Sequence, residues 1–196
     1  MTESRRDDPD ASRRAFEEVV LGHMPSVYRV ARSLVRRPED ASDVTQETLL
    51  RAYRTFASFV PGTNCRAWLF KILYSVLINR YRKSRREPEH VALEALAQPA
   101  PGSPDEREAE WAALRAAGLE AGAPEVKQAV AELPESFRAA VLLVDVEELS
   151  YEEAAAVLDC PVGTLRSRLF RGRRQLFHTL REYARRAGWL KSKAAE

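Results

Sequence analysis

The stretch that decides the fold runs from Ser150 to Leu176 and reads SYEEAAAVLDCPVGTLRSRLFRGRRQL. It opens with the pattern of a capping box, because Ser150 is followed three residues later by Glu153. A short helix is therefore predicted to start there and to end near Leu158. The letters DCP at 159–161 predict a tight turn, after which a longer helix follows.

The longer helix has two different faces. On a wheel of about 100° per residue, one side is apolar. It carries Val162, Leu165, Leu169, Gly172, Leu176, Leu180 and Tyr183. The opposite side and its flank carry the candidate DNA-binding residues Gly163, Arg166, Ser167, Phe170, Arg171 and Arg174. Arginine bonds guanine bidentately, serine bonds bases or phosphates, and phenylalanine contacts the thymine methyl, so this face suits a DNA major groove.

Together, the short helix, the turn and the basic helix predict a helix-turn-helix. The same arrangement occurs in helical bundles that bind no DNA, so the pattern alone leaves both interpretations open. Two residues favour DNA. An outward aromatic side chain such as Phe170 is costly without a partner, and Gly163 would let a phosphate approach the start of the helix closely.

The composition favours an all-α protein of two small domains rather than one larger domain. The chain has 196 residues, of which 45% are hydrophobic and 31% are charged, with only 8 glycines. These values suit helices with charged outer faces, and alternating strand patterns are hard to find. The net charge of +2 would not by itself indicate a nucleic-acid partner.

The distribution of charge is more informative than its sum. Every charged residue from Arg66 to Arg86 is basic, acidic residues dominate from Glu87 to Glu125, and basic residues dominate again after Asp159. Two cationic blocks therefore flank an acidic middle, as expected of a chain with two nucleic-acid-binding parts.

Helical spacing predicts three helices and one exposed loop in the first domain. The first helix has a buried stripe from Phe16 to Leu34, which Pro25 is expected to kink or divide. Pro38 opens the second helix. Its predicted apolar face consists of Leu49, Ala52, Tyr53 and Phe56. The letters FVPGTNC at 59–65 predict a loop, and the third helix runs from Arg66 to about Tyr81.

Composition also predicts the domain boundaries. We expect a disordered tail at 1–13, a first domain at 14–87, an acidic linker rich in proline and alanine at 88–124, a second domain at 125–187 and a basic tail at 188–196. The linker contains Trp111 and Leu114, which are candidates for docking on a domain. Pro134 is predicted to open a helix in the second domain.

The sequence offers little for catalysis or metal binding. Cys65 and Cys160 have no second cysteine or histidine at ligand spacing, and His23, His90 and His178 are scattered. We expect no enzyme, no cofactor and no metal. The amino terminus lacks an apolar core and no apolar run could span a bilayer, which predicts a cytoplasmic protein.

Three segments resemble one known family. The letters DASDVTQETLLRAY at 40–53 and RAWLFKI at 66–72 look like region 2 of the extracytoplasmic-function sigma factors of bacterial RNA polymerase, and residues 133–176 resemble their region 4. The letters GTNCRAWLF at 62–70 and RGRRQL at 171–176 are similar to the redox-responsive branch of that family. The resemblance implies a promoter-recognition subunit held in check by an anti-sigma factor.

The resemblance also implies roles for individual residues. Asp43, Gln46 and Glu47 would grip the clamp helices of the largest polymerase subunit, and region 4 would contact the flap of the second-largest subunit. Region 2 would open and read the minus-ten element. Its implied contacts are Thr63, Asn64, Arg66, Lys71, Ser75, Asn79, Arg80 and Arg82. The helix-turn-helix would read the minus-thirty-five element, and the linker would thread the polymerase channel.

Two other functions stay open from the residues alone. One is a self-sufficient helix-turn-helix regulator that binds DNA as a dimer, although no dimer helix or sensor site is evident. The other is a nucleic-acid-processing enzyme, against which the scattered histidines speak.

Overall fold

The computed structural model describes residues 9–35, 37–84, 111–112, 115 and 123–186. All regular structure in these ranges is helical, which confirms the all-α prediction. The chain divides into two compact units, whose main parts lie on either side of the peptide bond between Ser84 and Arg85. The predicted basic tail at 188–196 and most of the predicted linker lie outside the described residues.

The first unit contains four α-helices and two short 3-10 turns. They are α1 (Pro9–Val20), a turn at Leu21–His23, α2 (Met24–Leu34), α3 (Pro38–Thr55), a turn at Phe56–Ser58, and α4 (Cys65–Ser84). The predicted division of the first helix at Pro25 is confirmed, because Pro25 stands in the first turn of α2, where its missing N–H costs nothing.

Helix α1 begins earlier than the sequence predicts. Residues 9–13 were expected in a disordered tail, but they form the first turns of α1. The charges that make this stretch look solvated also stabilise it, because Arg13 Nε bonds Glu17 Oε1 at 2.9 Å one helical turn away. Residues 1–8 of the predicted tail lie outside the described residues.

The core of the first unit lies among α2, α3 and α4, which all pack against one another. Its largest fully buried side chains are Val20, Val27, Val30, Val44, Leu69, Phe70 and Leu73. Three of these seven side chains, Leu69, Phe70 and Leu73, come from α4, which turns its polar side outward.

The buried face of α3 is rotated from the predicted one. The prediction followed the large side chains, but Leu49 is only half-buried and Tyr53 is about half exposed. The buried residues are instead Ala41, Val44, Thr48 and Ala52. Small residues at this spacing let α3 approach its neighbours closely, and the buried Thr48 hydroxyl is satisfied because it donates to the Val44 carbonyl at 2.7 Å.

The second unit consists mainly of α5 (Pro124–Glu132), α6 (Glu135–Val141), a π-helical turn at Leu142–Val146, α7 (Tyr151–Val157) and α8 (Val162–Arg186). Pro134 caps α6 rather than lying within it, and its carbonyl accepts from two amides of the first turn. Helices α5 and α6 both pack against α8. Helices α6 and α8 approach closely at Gly172, where a Cβ atom would lie 2.9 Å from Val141 Cγ2. Glycine is therefore required where α6 crosses α8.

The predicted docking of Trp111 is confirmed. Its side chain is only 4% exposed and is held by residues of the second unit. Docking was also predicted for Leu114, which lies outside the described residues. Among the helices that the structure describes, none is both long and apolar enough to cross a membrane.

Candidate nucleic-acid interface

The helix-turn-helix is fixed locally at both ends of α7. The predicted capping box is present: the Ser150 amide donates to Glu153 Oε2 at 2.9 Å, and the Glu153 amide donates to Ser150 Oγ at 3.2 Å. After α7 the chain turns through Asp159, whose φ of +48° lies in the left-handed region. Pro161 follows, and its carbonyl accepts from Leu165 in the first turn of α8. The capping box and the turn thus fix where α7 begins and where α8 begins.

The two faces of α8 agree with the wheel. Leu165, Leu169, Gly172, Leu176 and Leu180 are buried. Five of the six candidate DNA-binding residues are exposed, namely Gly163, Arg166, Ser167, Phe170 and Arg174, and Arg171 is half-buried. Phe170 is 48% exposed although it is a large apolar side chain. A Cβ atom at Gly163 would meet nothing within 4 Å, so packing does not explain this glycine.

Within this face, the Ser167 hydroxyl donates to the Gly163 carbonyl at 3.1 Å. This bond occupies its proton and leaves the oxygen lone pairs as acceptors. Arg166 lies over the ring of Tyr151, with its Cζ 5.6 Å from the ring centroid. Tyr151 belongs to α7, so the two helices of the motif are joined at this contact.

A buried ion pair between Asp145 and Arg173 lies beside the exposed face of α8, and it was not predicted from the sequence. Asp145 is 3% exposed and accepts from Arg173 of α8 at 2.6 and 3.1 Å. The Trp111 indole N–H donates to the same carboxylate at 3.2 Å, and Arg173 Cζ lies 5.4 Å from the centroid of the Trp111 rings. Burial raises the pKa of Asp145, while the contacts of Arg173 and Trp111 act in the opposite direction. The signal in the sequence was an acidic residue inside the apolar run VLLVDV at 141–146.

In the first unit, the loop between α3 and α4 holds the predicted base-binding residues Thr63 and Asn64 through hydrogen bonds to nearby backbone groups. The Asn64 side-chain carbonyl accepts from the amides of Arg66 and Ala67 at 3.1 and 3.4 Å, so Asn64 caps α4. The Thr63 hydroxyl donates to the Val60 carbonyl at 2.7 Å. Both residues are exposed, and both are held in fixed orientations.

Four of the predicted minus-ten residues form one surface on α4. Lys71, Ser75, Asn79 and Arg82 are all exposed, and their spacing places them on one side of the helix. Arg66 is half-buried in the first turn of α4, directly after the loop. We call Lys71, Ser75, Asn79 and Arg82 the α4 stripe. No acidic residue interrupts it.

Arg80 lies apart from this stripe. Its side chain contacts α3, where its guanidinium is 3.4 Å from Glu47 Oε2 and 3.8 Å from Asp43 Oδ2. Glu47 also bonds Arg51 at 2.6 Å. The predicted minus-ten residue Arg80 is therefore joined to two of the predicted polymerase-binding residues. The third, Gln46, is exposed on the same face of α3.

An aromatic cluster packs against the start of this loop. The ring of Phe56 contacts Phe16 at 5.3 Å and Phe59 at 6.0 Å between centroids, and Phe59 contacts Trp68 at 5.2 Å. Trp68 is half-buried in this cluster. The cluster packs α1, the 3-10 turn after α3, the start of the loop and α4 against one another.

The cysteines offer no metal site. In the part of the chain that the structure describes, no three His, Cys, Asp or Glu side chains could hold a metal ion together. Cys65 is buried against the Val19 carbonyl, and burial raises the pKa of its thiol. A raised pKa disfavours the reactive thiolate.

Comparisons with known proteins bear on both units. The model of Sigma-70 region 2 matches residues 19–87, and the model of Sigma-70 region 4 matches residues 124–176, so the two matches cover more than half of the chain. The chain is also 36% identical over 178 residues to the ECF RNA polymerase sigma factor EcfG of Rhodopseudomonas palustris, covering 90% of this chain and 84% of that protein. The chain belongs to the ECF sigma factors.

Other members and a solved structure agree. Identity is 37% over 162 residues to the ECF RNA polymerase sigma factor SigE of Mycolicibacterium smegmatis, which covers 83% of this chain but only 60% of that relative. The sigma factor RpoE of Bartonella quintana, solved in complex with the anti-sigma factor NepR, has a TM-score of 0.64 and 32% identity, covering 86% of this chain and 98% of the other.

The two exposed faces lie in different sigma regions. ECF sigma factors are transcription initiation factors and not enzymes, and the α4 stripe and the face of α8 each fall inside a matched sigma region. The predicted resemblance to region 2 and region 4 is thereby confirmed.

Proposed function

We propose that this ECF sigma factor binds core RNA polymerase and directs promoter-specific initiation by dividing recognition between its two units. The first unit opens and reads the minus-ten element, and the second reads the minus-thirty-five element. One observation carries the proposal: each unit has a helix with a buried apolar side and an exposed polar or basic side. Such faces suit nucleic acid, since phosphates attract the cations and base edges bond the polar groups.

For the minus-ten element, the α4 stripe and the loop act together. Lys71 and Arg82 neutralise the phosphates of an opened strand, while Ser75 and Asn79 offer hydrogen bonds between them. Thr63 and Asn64 stand at the amino-terminal end of the same helix and meet a base edge. The Asn64 carbonyl oxygen caps α4, and we assign its side-chain amide N–H groups the role of donor to a base. Arg66 supplies a further cation beside the loop.

For the minus-thirty-five element, α8 lies in the major groove and α7 crosses the backbone. Arg166, Arg171 and Arg174 bind bases or phosphates, and Ser167 accepts from a base. Gly163 lets a phosphate approach the helix start. Phe170 contacts an apolar group such as a thymine methyl, which accounts for its exposure.

Polymerase binding is proposed for the outer side of α3. Asp43, Gln46 and Glu47 share this side with Leu50, which is 56% exposed. Carboxylates around an exposed leucine suit an arginine-bearing helix with an apolar contact at its centre, as the clamp helices of the largest subunit would provide. Arg80 orients the two carboxylates and leaves phosphate binding to the α4 stripe. The second unit contacts the flap of the second-largest subunit.

Control by an anti-sigma factor is part of the proposal. The structure of the Bartonella relative is a complex with its anti-sigma factor, and this chain covers almost all of that relative. We propose that this protein acts in the cytoplasm and that an anti-sigma factor covers its polymerase-binding surface. Membership of the redox-responsive branch stays a prediction, and the buried thiol of Cys65 gives it no support.

The test is reconstitution with core polymerase. The purified chain is mixed with core enzyme and a promoter library randomised at both elements, and the transcripts and their templates are sequenced. We expect a stable complex and initiation from templates that share two sequence elements. Absence of both would overturn the proposal. A free chain that sediments as a dimer and binds palindromic DNA without polymerase would support the self-sufficient regulator instead.

A further inference from the structure

The contact between Tyr151 and Arg166 joins the two helices of the helix-turn-helix through side chains that differ in exposure. Tyr151 is half-buried in the first turn of α7, whereas Arg166 is exposed on the flank of α8. The guanidinium carbon lies over the ring, 5.6 Å from its centroid, within the range of a cation–π contact. A half-buried ring beside a capped helix start is a firm support, because the capping box holds the backbone on either side of it.

The chemistry of this support differs from that of the neighbouring arginine. Arg173 is held by the buried Asp145 carboxylate, which cancels its charge and uses two of its donors. Among the described residues, Arg166 has no carboxylate partner, and an aromatic ring neither cancels the charge nor accepts its N–H groups through lone pairs. Arg166 is therefore restrained while its charge and donors stay available for DNA.

We propose that Tyr151 is a positioning residue for minus-thirty-five recognition: its ring holds the Arg166 guanidinium before DNA arrives. This inference rests on the proposed function, since it assumes that α8 reads DNA. An arginine loses side-chain freedom when it binds, and a side chain that is already restrained loses less. Tyr151 thus contributes to affinity and base selection through Arg166 without touching DNA itself.

A double-mutant cycle tests this in the holoenzyme. The probe is a duplex that carries the upstream element selected by the wild-type holoenzyme from a randomised library, compared with the same duplex with that element scrambled. We expect Tyr151→Leu to weaken binding to the selected duplex by about 2- to 10-fold and to leave binding to the scrambled duplex almost unchanged. Tyr151→Phe keeps the ring, so this variant should bind the selected duplex as well as wild type does. In an Arg166→Ala background, Tyr151→Leu should have no further effect.

The outcomes separate the two levels of the argument. Additive losses in the cycle, or a loss with Tyr151→Phe, would mean that Tyr151 contacts DNA directly, and the positioning role would be wrong. Wild-type selectivity in Tyr151→Leu would also overturn it, with the proposed function left intact. A wild-type holoenzyme that selects no upstream sequence would overturn the proposed function and the inference with it. Circular dichroism melting of each variant shows whether α7 and α8 still fold.

Discussion

The indole N–H of Trp111 donates to the buried carboxylate of Asp145 at 3.2 Å, although Trp111 lies outside the segment that matches region 4. A second contact from the same stretch joins Arg115 to Glu148 at 3.7 Å. Residues that look like linker are thus part of the second unit. Helix α8 joins the same contact, because its Arg173 binds the Asp145 carboxylate.

Replacing Trp111 should therefore destabilise the second unit. We expect Trp111→Ala to lower its free energy of unfolding by about 3–5 kcal/mol, as for other buried aromatic residues. Trp111→Phe should cost less, because it keeps most of the buried area and loses only the hydrogen bond to Asp145. Hydrogen exchange of α6 and α8 amides measures the effect within this unit, with α2 and α3 amides as internal reference. Equal protection of the α6 and α8 amides in Trp111→Ala and wild type would contradict a stabilising role for Trp111.

Burial of Asp145 predicts a pH dependence. Its folded-state pKa is raised above the ordinary value of 3.8, chiefly by burial, so the folded state holds this proton more tightly than the unfolded state. The stability that wild type gains from this group is present below pH 3.8 and is lost as the pH rises through the raised pKa. The unfolding free energy of wild type minus that of Asp145→Asn should therefore fall as the pH rises through that window.

Denaturant unfolding at a series of pH values measures this difference, and other carboxylates cancel because both proteins contain them. The groups that oppose the shift are Arg173, Trp111 and Arg115. A difference that rises with pH would mean that these contacts outweigh burial and lower the pKa instead.

Several features of the fold were predictable because their causes are local. The capping box at Ser150 and the helix break at Pro25 depend on residues within one turn, and both are present. The two faces of α8 follow from the wheel alone. In contrast, the buried side of α3 depends on which small residues α2 and α4 require, and the large side chains Leu49 and Tyr53 indicated the wrong side.

The site was predictable to the same extent. Lys71, Ser75 and Asn79 share a face because of their spacing, which the sequence contains. The position of Arg80 beside Asp43 and Glu47 depends on how α4 packs on α3, and the Trp111 anchor needs three residues that are distant in the chain. Pairings of this kind follow from tertiary packing and leave no periodic trace.

The α4 stripe predicts a measurable salt dependence. Lys71→Ala should reduce the slope of log binding constant against log salt by about 1 for single-stranded or open promoter DNA, because one phosphate contact is lost. Lys127→Ala is the matched control, since Lys127 is an exposed lysine of α5, a helix that carries none of the proposed DNA contacts. Filter binding of holoenzyme across a salt series measures both variants. Equal slopes for Lys71→Ala and wild type would exclude Lys71 from phosphate binding.

In the proposed function, α8 reads the upstream element as part of a holoenzyme. The most direct measurement compares wild type with Arg171→Ala in transcription by core polymerase from a selected promoter and from the same promoter with its upstream element scrambled. We predict that wild type prefers the intact promoter and that Arg171→Ala loses about 1–3 kcal/mol of that preference, with little change on the scrambled template. Equal losses on both templates would show that Arg171 only anchors phosphate, and a wild type that starts no specific transcription with core polymerase would contradict the account as a whole.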